Sequence, residues 1–241
     1  MTDSDTSSRP SNQWYDIWVQ FRSHKGALLG GIVFILIVAT VSLGPLLWPY
    51  DATYIDIRAR NQSPNWAHPF GTDQLGRDTL ARMMAGGQTS IAVGLTAMLL
   101  ALVLGSFIGV LAGFFKRLDN LLMRMTDLFL ALPLLPILLV MMLLFREVLN
   151  NAFGPEKGIF ILITVSIGIT SWMPTARIVR GDVLALKERE FVLAARSIGT
   201  TNTRLILRHI LPNVMSPMMV SATLGIANAI ITESALSFLG L

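Results

Sequence analysis

Cysteine is absent from this chain, which excludes a disulfide frame and any thiolate metal site and leaves the redox compartment unread. Charge is scarce as well. Asp, Glu, Lys and Arg together make up 14% of the 241 residues, where a soluble domain carries about a quarter. With 53% hydrophobic residues, the composition excludes an ordinary soluble domain and implies an integral membrane protein. No GxxxxGK[ST] loop occurs, so the chain cannot cradle nucleotide phosphates itself. HExxH and GxSxG are missing too, and no paired carboxylates sit at membrane depth, which argues against an intramembrane enzyme.

Long apolar runs are what the chain does have. About 20 apolar helical residues cross a bilayer, and five runs of that length lie at approximately 27–48, 90–115, 126–146, 158–176 and 214–233. Helices satisfy every backbone group in lipid, whereas barrel strands would be about ten residues long and alternating. The fold class is therefore all-α integral membrane, a polytopic helical bundle. A polar tail, 1–26, precedes the first span, which is too long and lacks the small-residue cleavage site of a signal peptide. The segment 49–89 is an outer loop with short helices, and 90–241 holds the other four spans. Lys and Arg mark the cytoplasmic side. Arg9, Arg22, Lys25, Lys116, Arg117, Arg124, Arg177, Arg180, Lys187, Arg189, Arg196, Arg204 and Arg208 fall on one side. Arg58, Arg60, Arg77, Arg82, Arg146 and Lys157 fall on the other, several beside acids. The bias predicts a cytoplasmic N-terminus. SALSFLGL follows the fifth span with no polar tail, so a sixth span is expected to be missing from this chain.

Between the fourth and fifth spans lies a polar island, Glu190 to Asn213, reading EFVLAARSIGTTNTRLILRHILPN. Ala194 and Ala195 suit close packing, and Gly199 suits a turn where φ is positive. Thr200, Thr201 and Asn202 are candidate caps for a second helix, expected to run through Leu205 and Leu207 to Ile210 and to break at Pro212. Helix, turn, helix also describes a DNA-binding motif, but both ends are tethered near the bilayer, so nucleic acid is not an expected partner. As an isolated feature the island also fits a basic amphipathic segment held by anionic head groups.

Within the spans, Ala97, Ala101, Gly105, Gly109 and Gly113 recur every four residues and predict one small-residue face packed tightly on another helix. Contact inside the chain is favoured over contact with a second subunit. Pro133 and Pro136 interrupt or bend the third span and are candidates for a path or gate. Arg124 and Asp127 are placed to pair on one face. Glu233 continues a stripe through Ser221, Gly225 and Ala229, so it points at protein or water rather than lipid. Its candidate roles are a structural hydrogen bond or a relay at a gate. In the outer segment Thr72 or Asp73 can cap a helix and Arg77 with Asp78 can tie a turn. One His68 among scattered carboxylates falls short of a metal site. The span centres carry no charged coupling group, which argues against a self-contained secondary transporter.

The island resembles the EAA loop of permease subunits in bacterial ATP-binding-cassette importers. HPFGTDQLGRD, His68–Asp78, and ESALSFLGL, Glu233–Leu241, are similar to segments of the dipeptide, oligopeptide and nickel subfamily. Three motifs in order, over about residues 20–241, identify the chain as a member of that subfamily, of the C type. The resemblance implies a type I importer permease fold. It also implies a coupling loop over 182–213 in which Glu190, Ala194, Ala195, Arg196, Gly199, Arg208, His209, Leu211, Pro212 and Asn213 meet a separate ATPase. The implied function is import of short peptides by alternating access at a bacterial inner membrane, with nickel or metal-chelate and glutathione import as alternatives. The implied partners are a second permease, two ATPase subunits that bind ATP and Mg, an extracytoplasmic solute-binding protein and the bilayer. No enzyme activity, cofactor or metal is implied for this chain. Leu193 stands where many members have Glu.

Overall fold

A computed structural model describes residues 21–239; the tail up to residue 20 and the last two residues lie outside that range. Among the described residues the architecture is helical, with no strand beyond an isolated bridge between Thr72 and Asp78. The helices are α1 (Lys25–Leu47), α2 (Thr79–Phe114), α3 (Lys116–Ala131), α4 (Leu134–Phe153), α5 (Pro155–Thr170), α6 (Trp172–Lys187), α7 (Glu190–Ser197), α8 (Asn202–Leu205) and α9 (Leu211–Phe238). Among the described residues, five helical stretches are long and apolar enough to cross a membrane: Lys25–Leu47, Thr79–Phe114, Leu134–Phe153, Pro155–Lys187 and Asn202–Phe238. The chain divides after Gln88 into two compact units.

In the first unit, α1 is apolar along its length yet buries none of its residues within the chain, the pattern of a membrane span rather than of a soluble core helix. Pro45 lies inside it and cannot donate to the carbonyl of Val41. The side chain of Gln88 supplies the missing donor, Nε2 to the Val41 oxygen at 3.0 Å. Gly87 allows that approach, since a Cβ there would lie 2.8 Å from Val41 Cγ2. Asp78 caps the start of α2 through the Ala81 N–H at 2.7 Å. It also accepts from Trp48 Nε1 at 3.1 Å and meets His68 Nδ1 at 2.7 Å. The cap explains why α2 begins at Thr79, well before the apolar run at residue 90. It also corrects two expectations, because the cap is neither Thr72 nor Asp73, and Asp78 does not pair with Arg77.

Arg77 turns to Asp73 instead, at 2.8 Å, and Arg82 reaches the same oxygen at 2.6 Å. Desolvation works against the Asp73 charge, but the backbone N–H groups of Arg77 and Leu75 and the Arg77 guanidinium outweigh it and hold the carboxyl at about 2. A depressed acid stabilises the fold above its unfolded value, and that contribution disappears as pH falls through the folded value. Asp73→Asn is therefore expected to lower the melting temperature at neutral pH. The gap from wild type should be constant between about pH 5 and pH 8 and close as pH drops from 3.8 toward about 2. Melting curves of both proteins across that range decide it; a gap that widens in acid would contradict it.

In the second unit, the small-residue face of α2 lies along α5 and α6, chains parallel and in step. Gly168 of α5 approaches the Ala97 carbonyl, Gly105 faces the Trp172 carbonyl and Thr175, Gly109 faces the Ala176 carbonyl and Val179, and Gly113 faces Val183. The partner of the stripe is thus within the chain. Lipid offers no hydrophobic reason for helices to associate, so close van der Waals contact along this face holds them. Parallel helices bring two negative C-terminal ends together. Lys187, at the end of α6, donates to the carbonyls of Gly113 and Phe114 at the end of α2, at 3.2 and 3.1 Å.

Two further expected spans have different boundaries. The run 126–146 is divided at Leu132 and Pro133 into α3 and α4, because Pro133 cannot donate and pushes Leu132 to extended backbone. Pro136 falls in the first turn of α4, where its missing N–H costs no internal bond. The run 158–176 extends through α5 and α6, changing course only at Ser171.

Candidate functional site

The Glu190–Asn213 island is built outward from a buried stripe. On α7, Val192 and Ala195 are one turn apart and buried, and they join Leu205, Ile210 and Val214 in a cluster that also holds Val110, Phe114, Val179, Val183 and Met218. The short α7 is therefore fixed to the ends of α2 and α6. Its far side carries exposed Glu190, Leu193, Ala194 and Arg196. Of the two alanines, only Ala195 packs inward.

At the end of α7 the Gly199 N–H bonds to the Arg196 carbonyl at 3.0 Å and the Thr200 N–H to the Ala195 carbonyl at 3.2 Å. Gly199 has φ of 83°. This is the Schellman ending, in which a left-handed residue lets two N–H groups return to the last carbonyls. A Cβ on Gly199 would meet nothing within 4 Å, so the demand for glycine there is conformational. Ile198, beside it, is 83% exposed, an apolar tip presented to the surroundings.

The second half of the island departs from expectation. Thr201 holds the cap position of α8 but makes no side-chain cap bond; its carbonyl accepts from Leu205 N–H. Pro212 does not break the helix. Residues Ile206–Ile210 form a π turn, with Leu211 N–H bonded to the Ile206 carbonyl. That extra residue shifts the register before the proline, which then occupies the opening turn of α9, where a missing donor is tolerated. Asn213 Nδ2 donates to the His209 carbonyl at 2.6 Å. The His209 ring faces Phe191 at 6.5 Å, Arg208 is exposed, and Leu211 packs on the cluster.

Two ion pairs between α3 and α6 stand beside the island, and sequence reasoning did not find them. Asp127 pairs with Arg177, not with Arg124, whose Nε donates to Asn120. Asp119 takes a two-pronged bond from Arg180, with Nη2 at 2.7 Å from Oδ2. That bond outweighs burial and lowers the Asp119 carboxyl below its ordinary range. The available signal was the pairing of acids on α3 with arginines three apart on α6.

A cavity of about 790 Å³ lies where the two helix breaks face α9. Leu132, Leu134 and Ile137 bring the break at Pro133 to it, Ser171 brings the break between α5 and α6, and Asn228 projects from α9. Pro133 and Pro136 shape this wall without lining it. Glu233 does not line it either. It is buried, and accepts from Ser90 Oγ at 2.8 Å and Ser237 Oγ at 2.9 Å.

Residues 101–241 match the family model described as binding-protein-dependent transport system inner membrane component, and residues 12–64 match the N-terminal TM domain of oligopeptide transport permease C. The oligopeptide transport system permease protein OppC of Bacillus subtilis is 38% identical over 98% of this chain and 74% of its own length. The dipeptide transport system permease protein DppC of the same organism is 35% identical over 99% of this chain and 72% of its own length. These relatives are permease components, not catalytic subunits. A helical membrane core with a surface-exposed helix-turn-helix island and sequence similarity along nearly the whole chain agree on one assignment: the chain belongs to the binding-protein-dependent transport system inner membrane components, as a multi-pass permease.

Proposed function

We propose that this permease moves short peptides inward across the bacterial inner membrane by alternating access, driven by ATP hydrolysed on separate subunits. Its N-terminus and its Glu190–Asn213 island face the cytoplasm, an orientation supported by the Lys and Arg bias. The carrying observation is the island's build. Val192 and Ala195 fix α7 to the membrane helices while Leu193, Ala194, Arg196 and Ile198 remain exposed. An ATPase docking there can push on the ends of α2 and α6 through a packed contact rather than a slack loop. With Leu193 outward in place of an acid, contact at that position is apolar, supplemented by the surrounding arginines.

The partners follow from this reading: a second permease, two ATPase subunits and an extracytoplasmic solute-binding protein. Peptide substrates are supported by the named functions of the relatives, oligopeptide and dipeptide transport. The test is to purify the full complex and measure ATP hydrolysis with binding protein carrying each of a panel of peptides. Stimulation by short peptides is expected. Purification of this chain alone with transport that needs no ATPase would end the proposal.

A further inference from the structure

The cavity wall is apolar with a few polar side chains, and none of its lining residues is charged. Most of the polar ones are already engaged within the fold. Thr170 Oγ1 donates to the Ser166 carbonyl at 2.8 Å, Thr232 Oγ1 donates to the Asn228 carbonyl at 2.8 Å, and Thr175 and Ser221 share a hydroxyl bond of 3.1 Å. Ser171 and Asn228 are left. Ser171 occupies the N-cap position of α6, where a serine hydroxyl normally bonds the first-turn N–H groups, yet it makes no such bond. The Asn228 side chain, with two donors and an acceptor, has no hydrogen-bond partner among the described residues and is exposed on the cavity side of α9.

An open amide and an open hydroxyl at membrane depth are costly against lipid and belong in a water-filled or ligand-bearing path. Both groups can donate and accept, which matches the N–H and C=O of a peptide main chain. The absence of charge in the lining gives the wall no means of sorting side chains by sign. A volume of about 790 Å³ is within the range that accommodates small ligands. We propose that Ser171 and Asn228 are specificity-determining residues that hydrogen-bond the main-chain amides of a peptide in transit, so that the wall reads backbone and ignores side-chain charge. This rests on the peptide-transport reading above.

The test uses the full complex with its binding protein in proteoliposomes, and four tripeptides: one neutral, its backbone N-methylated counterpart, one containing lysine and one containing glutamate. For the Ser171→Ala, Asn228→Leu double variant, uptake of the neutral tripeptide is expected to fall roughly tenfold, as two neutral hydrogen bonds are lost. Gel filtration of the double-variant complex should show assembly at the wild-type level. The N-methylated tripeptide, already lacking the amide donors, should lose little further. Asn228→Asp should favour the lysine peptide over the glutamate peptide by about tenfold relative to wild type, a scale set by one charge-assisted contact. Wild-type uptake by the double variant, or an equal loss on methylated and unmethylated peptides, would overturn the inference while leaving the transport reading intact. A wild-type complex that moves no peptide would overturn the transport reading itself.

Discussion

Gly199→Val is expected to leave the permease inserted and assembled but to cut peptide uptake at least tenfold, while ATP hydrolysis by the complex loses its dependence on transport. Gly199 sits at φ of 83°, a conformation that costs an ordinary L residue about 1–2 kcal/mol, and a β-branched residue more. A difference of about 1.4 kcal/mol shifts a population tenfold. The strain cannot be relieved by moving neighbours, because a Cβ there meets none within 4 Å. It is relieved only by giving up the turn that returns the Gly199 and Thr200 N–H groups to α7. Loss of that turn redirects Ile198 and the α7 to α8 connection, which together make the exposed tip. The buried stripe of Val192 and Ala195 lies on the other side and is untouched, so insertion should survive. Graded replacements separate conformation from size. Asn, which tolerates left-handed backbone, should retain most uptake, Ala less and Val least. Uptake and ATPase rates in membrane vesicles, normalised to the amount of inserted complex, report this order. Full uptake by the valine variant would remove the basis for a coupling role.

Much of this architecture was legible in the residues, and the parts that were not share a physical cause. The five apolar runs, the turn at Gly199 and the small-residue face of α2 follow from composition and local periodicity, which a sequence displays directly. The fate of Pro212 was not legible. A proline normally ends a helix, but here a π turn over Ile206–Ile210 precedes it and Leu205, Ile210 and Val214 stay in one buried cluster across that turn, so the helix continues through it. The acids on α3 were visible, but their partners were not. Asp127 finds Arg177 across the bundle in preference to Arg124 on its own helix, because tertiary placement overrides the short spacing that favours Arg124 in sequence. Gln88 and Lys187 illustrate the same limit. Each satisfies a carbonyl on another helix, at Val41 and at Gly113 and Phe114, and a long polar side chain gives no sign in sequence of which distant backbone group it will reach. The cavity arises from two helix breaks meeting α9, and its open Ser171 was hidden for a related reason. In sequence Ser171 lies inside the apolar run 158–176, which reads as one unbroken span.

Gly109→Leu is expected to prevent the second unit from assembling, and Gly109→Ala to weaken it measurably. A Cβ at Gly109 would lie 2.6 Å from the Ala176 carbonyl oxygen and 2.8 Å from Val179 Cβ. The first is backbone and the second is the branch point of a stiff side chain, so neither can swing aside; the helices must separate. Overpacking by one methyl in a closed contact costs about 1–3 kcal/mol. The cost here falls on an interface held by van der Waals contact rather than by exclusion of water, so separation has little to offset it. It would also part α6 from the end of α2, taking Lys187 away from the Gly113 and Phe114 carbonyls and loosening the cluster on which α7 rests. Gly181 provides the control. It lies on α6, the helix that Gly109 faces, yet a Cβ there meets nothing within 4 Å. Gly181→Ala should therefore be neutral, or stabilising by about 0.5–1 kcal/mol through helix propensity. The measurement is the fraction of monodisperse protein remaining after a temperature series in detergent, read by fluorescence-detected gel filtration. The expected order is Gly181→Ala at or above wild type, then wild type, then Gly109→Ala, with Gly109→Leu aggregated or absent from the membrane fraction. If Gly109→Ala proves as stable as Gly181→Ala, the close approach of α2 to α6 is not what holds this unit together.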